Sequence, residues 1–505
     1  MSDTLEWTDS SAVSVRATRP NVDTQRGRRT HMTRDCSFLE ELPLEDDQVS
    51  FAESRREDRA ADWGSEQRGR EVLPDAVVWP ESTEDVSTVL AAATERDVPV
   101  TPYAAGTSLE GNAVPAHGGI SLDLTRMDDI VDYRPDDFQI DVGPGIIGSE
   151  VDERVARDGL MFPPLPSSGD ISTIGGMIAT DASGMQTVRY GEVADWVLGL
   201  EAVLADGTVI ETGSRAKKTS SGYNLTDLLV GSEGTLAVVT EATLELAGRP
   251  HQIRGGRAVF ETLEDATGAI AEAVRTEVAV ARIELLDELS VRMTNDYLET
   301  GLPDAPTVFL EFHANHGIEE EIDLCLTIFE DHDVLEFEIS ADDDEMSELW
   351  EARREIAFAV ENYEPELHTL HPGDVTVPIS AYPEMVREAK RLAEERDLLA
   401  PCYGHAGDGN LHHNVLVDPD DPEMVERGEE AYRKTVEKAI ELGGTVTGEH
   451  GIGEGKRQFL EDEHGAGAVD AMRRLKRALD PTDTLNPGKI FPETAEGERV
   501  RDDET

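Results

Sequence analysis

The spacing of apolar residues divides the first part of the chain into short strands and a helix. Residues 76–80 and 98–102 are short apolar runs bounded by turn residues, which predicts two strands. Between them, the favoured N-cap residue Ser82 precedes a stripe of apolar residues at helical spacing, formed by Val86, Val89, Leu90 and Ala93. The segment therefore predicts a β-α-β opening.

Strand signals continue to about Leu246, and helical patterns do not alternate regularly with them. This arrangement predicts an α+β fold rather than a doubly wound sheet. A change of composition over residues 249–256 predicts a domain boundary. Beyond it, the periodicities predict a second α+β domain with a strand at 308–312 and helices at 264–277, 346–360, 382–396 and 466–479.

These patterns divide the chain into two domains with a tail at each end. Residues 1–31 are polar and lack periodicity, so we expect a disordered tail. The first domain spans residues 32–247 and the second spans 248–493, followed by a charged tail at 494–505. Either Met1 or Met32 starts translation, and acids such as Asp3 and Glu6 argue against a targeting peptide.

The charge of the chain argues against two classes of partner. The 505 residues carry a formal net charge of −61, and the acidic residues are spread along the whole chain. Such a surface repels nucleic acid and anionic membranes. It indicates a salt-rich cytoplasm of the halophilic type, with a very acidic mesophile protein as the alternative. No apolar run reaches 18 residues, so we expect a cytoplasmic protein, with peripheral attachment to the inner face of the membrane left open.

Cysteine usage adds a further exclusion. The cysteines are Cys36, Cys325 and Cys402, an odd number without any Cys-x-x-Cys pair. This usage predicts neither a disulfide framework nor an iron–sulfur cluster.

The richest chemistry lies in residues 402–414, where His405 and His412 flank a Gly-Asp-Gly-Asn turn. A tight turn brings the two imidazoles to one point, and Glu449 can complete a two-histidine, one-carboxylate set. Such a set suits a divalent ion, zinc or manganese, with positions left open for substrate. The neighbouring His450 is then free to act as a general base.

Two neighbours of His412 leave alternatives open. His413 is adjacent to His412 and faces the opposite side of an extended segment. We prefer His412 as the ligand for that reason. Asn414 lies on the same face as His412, so we expect it to touch substrate. The alternative for Glu449 is an ordinary surface acid.

Three segments of small residues indicate a cofactor with a phosphate group. They are residues 102–112, 163–184 and 231–240. Consecutive N–H groups in such loops form anion-binding nests, and small side chains let a ligand approach the backbone. For each glycine taken alone, a plain turn is the alternative.

Together these segments resemble the FAD domain of vanillyl-alcohol-oxidase-type (PCMH-type) flavoproteins. The remainder, through the 447–451 motif and the terminal Leu-Asn-Pro-Gly-Lys, resembles the C-terminal domain of FAD-linked oxidases. The resemblance implies a two-part FAD-binding domain followed by an α+β substrate and metal cap domain. It also implies that the following residues hold the cofactor: Ala104, Ala105, Gly106, Thr107, Ser108, Gly169, Thr173, Gly175, Gly176, Ser183, Gly184, Glu233, Gly234, Val239 and Asn486. No histidine stands in the 103–108 loop, so we expect FAD to be bound non-covalently.

The same resemblance implies a substrate class. Arg353 occupies the place of the family's carboxylate-binding arginine, with a surface arginine as the alternative. Relatives that take 2-hydroxyglutarate have a lysine where this chain has Pro372, which favours a small monocarboxylate. We expect FAD-dependent oxidation of a D-2-hydroxy acid, best matched by D-lactate, with hydride transfer to flavin N5.

Alternatives to this activity stay open. The nearest are a glycolate oxidase FAD subunit and a D-2-hydroxyglutarate dehydrogenase, followed by an ether-lipid synthase and a non-catalytic flavoprotein subunit. The expected electron acceptor is a quinone, a cytochrome or an electron-transfer flavoprotein. A homodimer is an open option.

Overall fold

The structure is a computed structural model that describes residues 33–340 and 343–492. The tails predicted at 1–31 and 494–505 lie outside these residues. Among the described helices, none is both long enough and apolar enough to cross a membrane.

The first part of the chain folds into short strands with few long helices. Its strands are β1 (Val49–Ser50), β2 (Ala76–Val78), β3 (Val100–Tyr103), β4 (Ile120–Asp123), β5 (Ile130–Arg134), β6 (Gln139–Val142), β7 (Leu160–Met161), β8 (Val197–Val203), β9 (Val209–Gly213), β10 (Val238–Glu245) and β11 (Ala247–Gly248). Its helices are α1 (Glu53–Glu57), α2 (Trp63–Gln67), α3 (Thr83–Thr94), α4 (Gly148–Ala156), α5 (Ile174–Thr180), α6 (Thr187–Tyr190) and α7 (Leu225–Leu229).

Two sheets give this part its two halves. One has the order β1-β2-β4-β3, in which β2, β4 and β3 are parallel. The other is antiparallel, with the order β5-β6-β10-β8-β9. The predicted β-α-β opening is confirmed: α3 joins β2 to β3, and the Ser82 hydroxyl accepts the Asp85 N–H at 3.2 Å. The 104–108 loop therefore leaves the carboxyl end of a buried parallel strand.

The second part carries longer helices around one large sheet. Its strands are β12 (Gln252–Phe260), β13 (Val280–Leu286), β14 (Thr307–Ala314), β15 (Val334–Ser340), β16 (His368–Thr369), β17 (Val375–Thr376), β18 (Cys402–Gly404), β19 (Asn410–His413) and β20 (Leu416–Val417). Its helices are α8 (Leu263–Arg275), α9 (Glu288–Leu298), α10 (Ile318–Glu330), α11 (Asp343–Arg354), α12 (Ile356–Glu361), α13 (Tyr382–Glu394), α14 (Pro422–Glu441) and α15 (Leu460–Leu479).

The large sheet has the order β15-β12-β14-β13-β18-β19-β17. Apolar residues of α8, α10, α13 and α14 pack against it in one buried cluster. The end formed by β13, β18, β19 and β17 brings together side chains that are far apart in sequence. This end of the sheet carries the candidate site.

Two helices differ from their predicted form. The single helix predicted at 346–360 is two helices, α11 and α12, because Glu355 takes φ −81° and ψ −1° between them. The helix predicted at 466–479 starts earlier, at Leu460, with Gly465 at φ 75° inside it. The predicted helix matches the part that follows this kink.

The predicted division between residues 247 and 248 falls inside β11, which pairs with β7 of the first part. The large sheet begins shortly afterwards, with β12. The exact boundary stays a prediction.

Candidate active site

His405 and His412 lie at the two ends of the predicted turn, and their ring centroids are 5.4 Å apart. His405 follows β18, His412 lies in β19, and Tyr403 pairs with His412 across the two strands. Gly409 makes the turn with φ 84°, where a Cβ atom would lie 2.1 Å from the Val377 carbonyl oxygen. The turn therefore needs glycine at this position.

Glu449 completes the cluster. Its Oε1 lies 3.4 Å from His405 Nε2 and 3.2 Å from His412 Nε2. Burial by itself raises the pKa of Glu449, but the two histidines outweigh burial and hold the pKa well below its usual range. The ligand atoms of the three residues lie within 4.8 Å of one another, close enough to share one ion.

The second nitrogen of each imidazole already has a partner. His405 Nδ1 lies 2.8 Å from Glu284 Oε1, and His412 Nδ1 lies 3.2 Å from the Gly373 carbonyl oxygen. Partners of this kind fix the ring tautomer and leave Nε2 as the ligand atom. The donor set and its orientation therefore fit a divalent ion such as zinc or manganese.

Asp374 shapes the loop that carries Glu449 and His450. Its Oδ2 accepts the backbone N–H groups of Gly448, Glu449 and His450 at 2.9, 3.0 and 3.0 Å, and the Thr447 hydroxyl at 2.8 Å. A chain that curls around one oxygen is not an extended strand, so neighbouring side chains do not alternate. This curl lets Glu449 and His450 face the same region.

The His450 ring stacks on that of His412, with centroids 5.4 Å apart and planes within 7°. Its Nδ1 is buried without a hydrogen-bond partner among the described residues, 3.7 Å from Asp374 Oδ2. Burial lowers the pKa of His450 to about 4. His450 is therefore a neutral imidazole at pH 7, the form in which it can accept a proton.

Arg353 is buried on α11, with 3% of its surface exposed. Its Nε donates to Glu284 Oε2 at 2.7 Å, and its guanidinium lies 5.6 Å from the centre of the Tyr403 ring. Its Nη2 is buried and has no hydrogen-bond partner among the described residues. A free guanidinium N–H in this setting can bind a carboxylate.

The other two predicted neighbours are engaged with the protein. Asn414 Nδ2 donates to the Tyr403 hydroxyl at 2.9 Å, and its Oδ1 accepts the Gly373 N–H at 3.1 Å. Its contact with substrate stays a prediction. His413 lies on the opposite side of β19 from His412, with Nε2 3.2 Å from the Thr435 hydroxyl.

The first glycine-rich loop, residues 104–108, is held by the start of α2. Trp63 N–H donates to the Gly106 carbonyl at 2.8 Å, and Gly64 N–H donates to the Ser108 carbonyl at 3.1 Å. Gly106 has φ 70°. The loop contains the first five residues predicted to hold the cofactor: Ala104, Ala105, Gly106, Thr107 and Ser108.

The second loop lies against the first. Thr107 Oγ1 is 3.0 Å from Ser172 Oγ, and Thr173 caps α5 by accepting the Gly176 N–H at 3.2 Å. Ser183 Oγ lies 3.3 Å from Glu449 Oε2, so this loop also reaches the histidine cluster. The same loop contains the remaining residues predicted there: Gly169, Gly175 and Gly184.

The third loop and the C-terminal segment meet the first two. Gly234 lies close to Pro102 at the end of β3, and Val239 lies in β10. Asn486 Nδ2 donates to the backbone carbonyls of Asn112 and Glu233 at 2.9 and 2.7 Å. Its buried Oδ1 has no hydrogen-bond partner among the described residues. A free acceptor where these loops meet fits a flavin cofactor.

Glu233 also binds the loop that follows Glu449 and His450. Its carboxylate accepts the N–H groups of Ile452 and Gly453 at 2.7 and 2.9 Å, and the Asn112 amide at 2.6 Å. We call residues 102–112, 163–184 and 231–240 the flavin-side loops. Glu233 therefore connects the third of these loops to the loop that carries Glu449 and His450. Its contact with the cofactor stays a prediction.

Sequence reasoning missed the buried polar residues that hold the site together. They include Glu284, Asp374 and Lys456, whose Nζ donates to the Asp374 carbonyl at 3.0 Å. A signal was present for Glu284, because it is an acid within the apolar run of β13. An acid fully buried in such a strand needs partners.

Known protein families match both parts of the chain. Residues 74–213 match the family described as "FAD binding domain", and residues 249–490 match "FAD linked oxidases, C-terminal domain". "Probable D-lactate dehydrogenase, mitochondrial" from Danio rerio is 37% identical over 422 residues, covering 83% of this chain and 84% of that protein. "Glycolate oxidase subunit GlcD" from Bacillus subtilis is 37% identical over 426 residues, covering 84% of this chain and 90% of that protein.

Solved structures show the same fold at lower identity. An alkyldihydroxyacetonephosphate synthase has a TM-score of 0.73 at 17% identity, covering 93% of this chain and 88% of that one. p-Cresol methylhydroxylase has a TM-score of 0.69 at 18% identity, covering 88% of this chain and 94% of that one. The predicted PCMH-type α+β fold is confirmed. With both matched domains and relatives that align over most of their length, the chain belongs to the FAD-linked oxidase family.

Proposed function

We propose that this protein oxidises a small D-2-hydroxy acid, D-lactate in the first place, to the corresponding 2-oxo acid. FAD is the oxidant, and a divalent ion, zinc or manganese, assists at His405, His412 and Glu449. Family membership and relatives named for D-lactate and glycolate support the FAD-dependent oxidation. The observation that carries the site assignment is the convergence of a ligand set, a neutral imidazole and one unpaired guanidinium N–H group, that of Arg353 Nη2 among the described residues, beside the flavin-side loops.

The residues of the chain divide the work as follows. Bound FAD would supply the hydride acceptor, and a bound divalent ion would supply a Lewis acid for the substrate hydroxyl. Arg353 Nη2 donates to the substrate carboxylate and so fixes the direction of the Cα–H bond. His450 takes the hydroxyl proton as general base. Ser183 and the curl around Asp374 hold Glu449 and His450 in place.

The choice of a small monocarboxylate rests on Pro372. This residue supplies no cation for a second carboxylate. The missing cation at this position favours lactate or glycolate over 2-hydroxyglutarate.

The electrons must leave the flavin after each turnover. We propose a quinone, a cytochrome or an electron-transfer flavoprotein as the acceptor, and the relatives named as cytochrome-type D-lactate dehydrogenases favour a cytochrome.

Anaerobic bleaching of the flavin tests this function. Purified protein is mixed with D-lactate, glycolate or D-2-hydroxyglutarate, and the flavin absorbance is followed with time. We expect D-lactate to bleach the flavin fastest, with L-lactate as the inactive control. Absence of bleaching with all three acids would refute the proposed function, and fastest bleaching by D-2-hydroxyglutarate would refute the substrate choice.

A further inference from the structure

Two clusters of the same composition, each centred on a buried glutamate, lie on neighbouring strands of the large sheet. On β13, Glu284 contacts Arg353 and His405. On β14, Glu311 contacts Arg282 at 3.2 Å and His313 at 2.8 Å. Each cluster joins an arginine and a histidine through one glutamate. Only the first of the two contains a proposed metal ligand and a proposed substrate-binding residue.

The contacts of Glu284 require both of its carboxylate oxygens to act as hydrogen-bond acceptors. Its Oε2 accepts the Arg353 Nε–H at 2.7 Å, and its Oε1 lies 2.8 Å from His405 Nδ1. Arginine Nε always carries hydrogen. His405 Nδ1 must also carry hydrogen if Nε2, which faces Glu449, is to be a ligand atom. Glu284 therefore has to accept from two donors at once, one on each oxygen.

A carboxylate meets this requirement and an amide does not. Glutamine offers one acceptor oxygen and one NH2 donor, so it would direct its NH2 group at either Arg353 or His405. Because Glu284 has 0% of its surface exposed and its two partners 3% each, water cannot replace the lost acceptor. One of the two partners must then move or change its protonation pattern.

We propose that Glu284 is a positioning residue that holds Arg353 and His405 in one fixed geometry. Arg353, which binds the substrate carboxylate, and His405, which lies near the substrate hydroxyl, are then held at a fixed distance from each other. This inference rests on the proposed function. It adds that carboxylate recognition and metal binding share one buried acid and cannot be altered independently.

The test compares Glu284→Gln with Glu311→Gln. The second variant changes the acid on β14, where Arg282 and His313 both lie against one oxygen, Glu311 Oε1, so that a glutamine oxygen can still accept from both. Both variants remove the charge of a buried glutamate from the same sheet. An effect that came only from the loss of a buried charge in this sheet would therefore appear in both variants.

Three quantities are measured for each variant: metal bound per chain after dialysis, metal affinity by titration, and kcat and KM with the metal saturating. For Glu284→Gln we expect metal affinity to fall about 10- to 100-fold. We also expect a KM for D-lactate raised on the order of tenfold, with a smaller change in kcat, because Arg353 loses its fixed position. Glu311→Gln should match the wild type in metal affinity and KM.

A Glu284→Asp variant keeps the inference testable if Glu284→Gln does not fold. Aspartate retains the charge but is shorter by one methylene group, so it cannot reach both partners, and we expect the same double loss. Wild-type metal affinity and KM in the folded Glu284 variant would overturn the inference, as would equal losses in Glu311→Gln. A wild-type protein that neither binds metal nor bleaches with any hydroxy acid would instead refute the proposed function.

Discussion

At the scale of single residues, buried acids decide how the reactive groups are arranged. Glu449 and His450 are neighbours, and in a strand their side chains would point apart. The three N–H groups bound by Asp374 turn the backbone so that both serve one site. The division of labour between the two residues therefore depends on backbone shape, and it can be tested by replacing each.

We expect Glu449→Gln to release the metal and to weaken substrate binding, since a carboxylate ligand is lost. His450→Ala should keep metal and FAD, yet flavin reduction by D-lactate should slow by on the order of 10² or more, because general-base catalysis is lost. Elemental analysis of dialysed protein and stopped-flow absorbance measure the two effects. Metal lost from His450→Ala and kept by Glu449→Gln would reverse the assignment.

The ligands could be predicted from sequence, whereas their supporting residues could not. His405 and His412 stand on either side of a short turn, and a turn so tight leaves few arrangements for the two rings. Glu284 and Asp374 approach from other strands, and in a chain so rich in acids nothing local separates them from surface carboxylates. Only the sheet order, with β13 beside β18 and β17 beside β19, brings them to the histidines.

At the scale of elements, the loop of residues 447–456 contacts both domains. Its N–H groups donate to Asp374 on one side and to Glu233 on the other. The Glu110 carbonyl accepts two more, from Glu454 and Gly455, at 2.8 and 3.1 Å. The flavin-side loops therefore complete the fold of the segment that carries Glu449 and His450.

Glu233→Gln should weaken this link. Three donors converge on the carboxylate, and an amide has only one acceptor oxygen for them, so we expect a loss of about 1–3 kcal/mol in the free energy of unfolding. Flavin reduction by D-lactate should slow as well, because the loop of His450 loses its anchor. Thermal or denaturant unfolding and stopped-flow absorbance provide the measurements. Glu241→Gln, half-buried on β10, is the control, and equal losses in that variant would count against the link.

Helix and strand positions were largely predictable, but the contacts between elements were not. The apolar residues that follow Ser82 predict α3, because they recur with the period of a helix and not with that of a strand. The break at Glu355 has no such signal, because no proline or glycine marks it. Likewise, Asn486 could be assigned to the flavin only through resemblance, since its neighbours Asn112 and Glu233 lie hundreds of residues away.

At the scale of the whole molecule, the main electrostatic feature is the excess of acidic residues. A net charge of −61 on 505 residues creates strong self-repulsion in dilute buffer. Added salt reduces this repulsion, because the Debye length falls from about 10 Å at 0.1 M to about 3 Å at 1 M. The buried pairs of the site are shielded from solvent and depend on salt much less.

We therefore expect thermal stability to rise steeply between about 0.1 M and 2 M KCl, as screening removes the repulsion. Differential scanning fluorimetry across a salt series measures this effect, with sucrose as the uncharged control. An unchanged melting temperature over the series would contradict the halophilic interpretation and favour an ordinary acidic protein.

The contact of Asn486 with the flavin-side loops also determines when, during synthesis, the first domain is complete. A ribosome builds residues 104–240 long before residue 486, and Leu485 is the residue that lies beside β3 and bridges to Val100. The nascent first domain therefore lacks a neighbour of β3 and the donor that joins Asn112 to Glu233. We therefore expect the first domain to hold the flavin firmly only after residues 485–486 have left the ribosome and joined it.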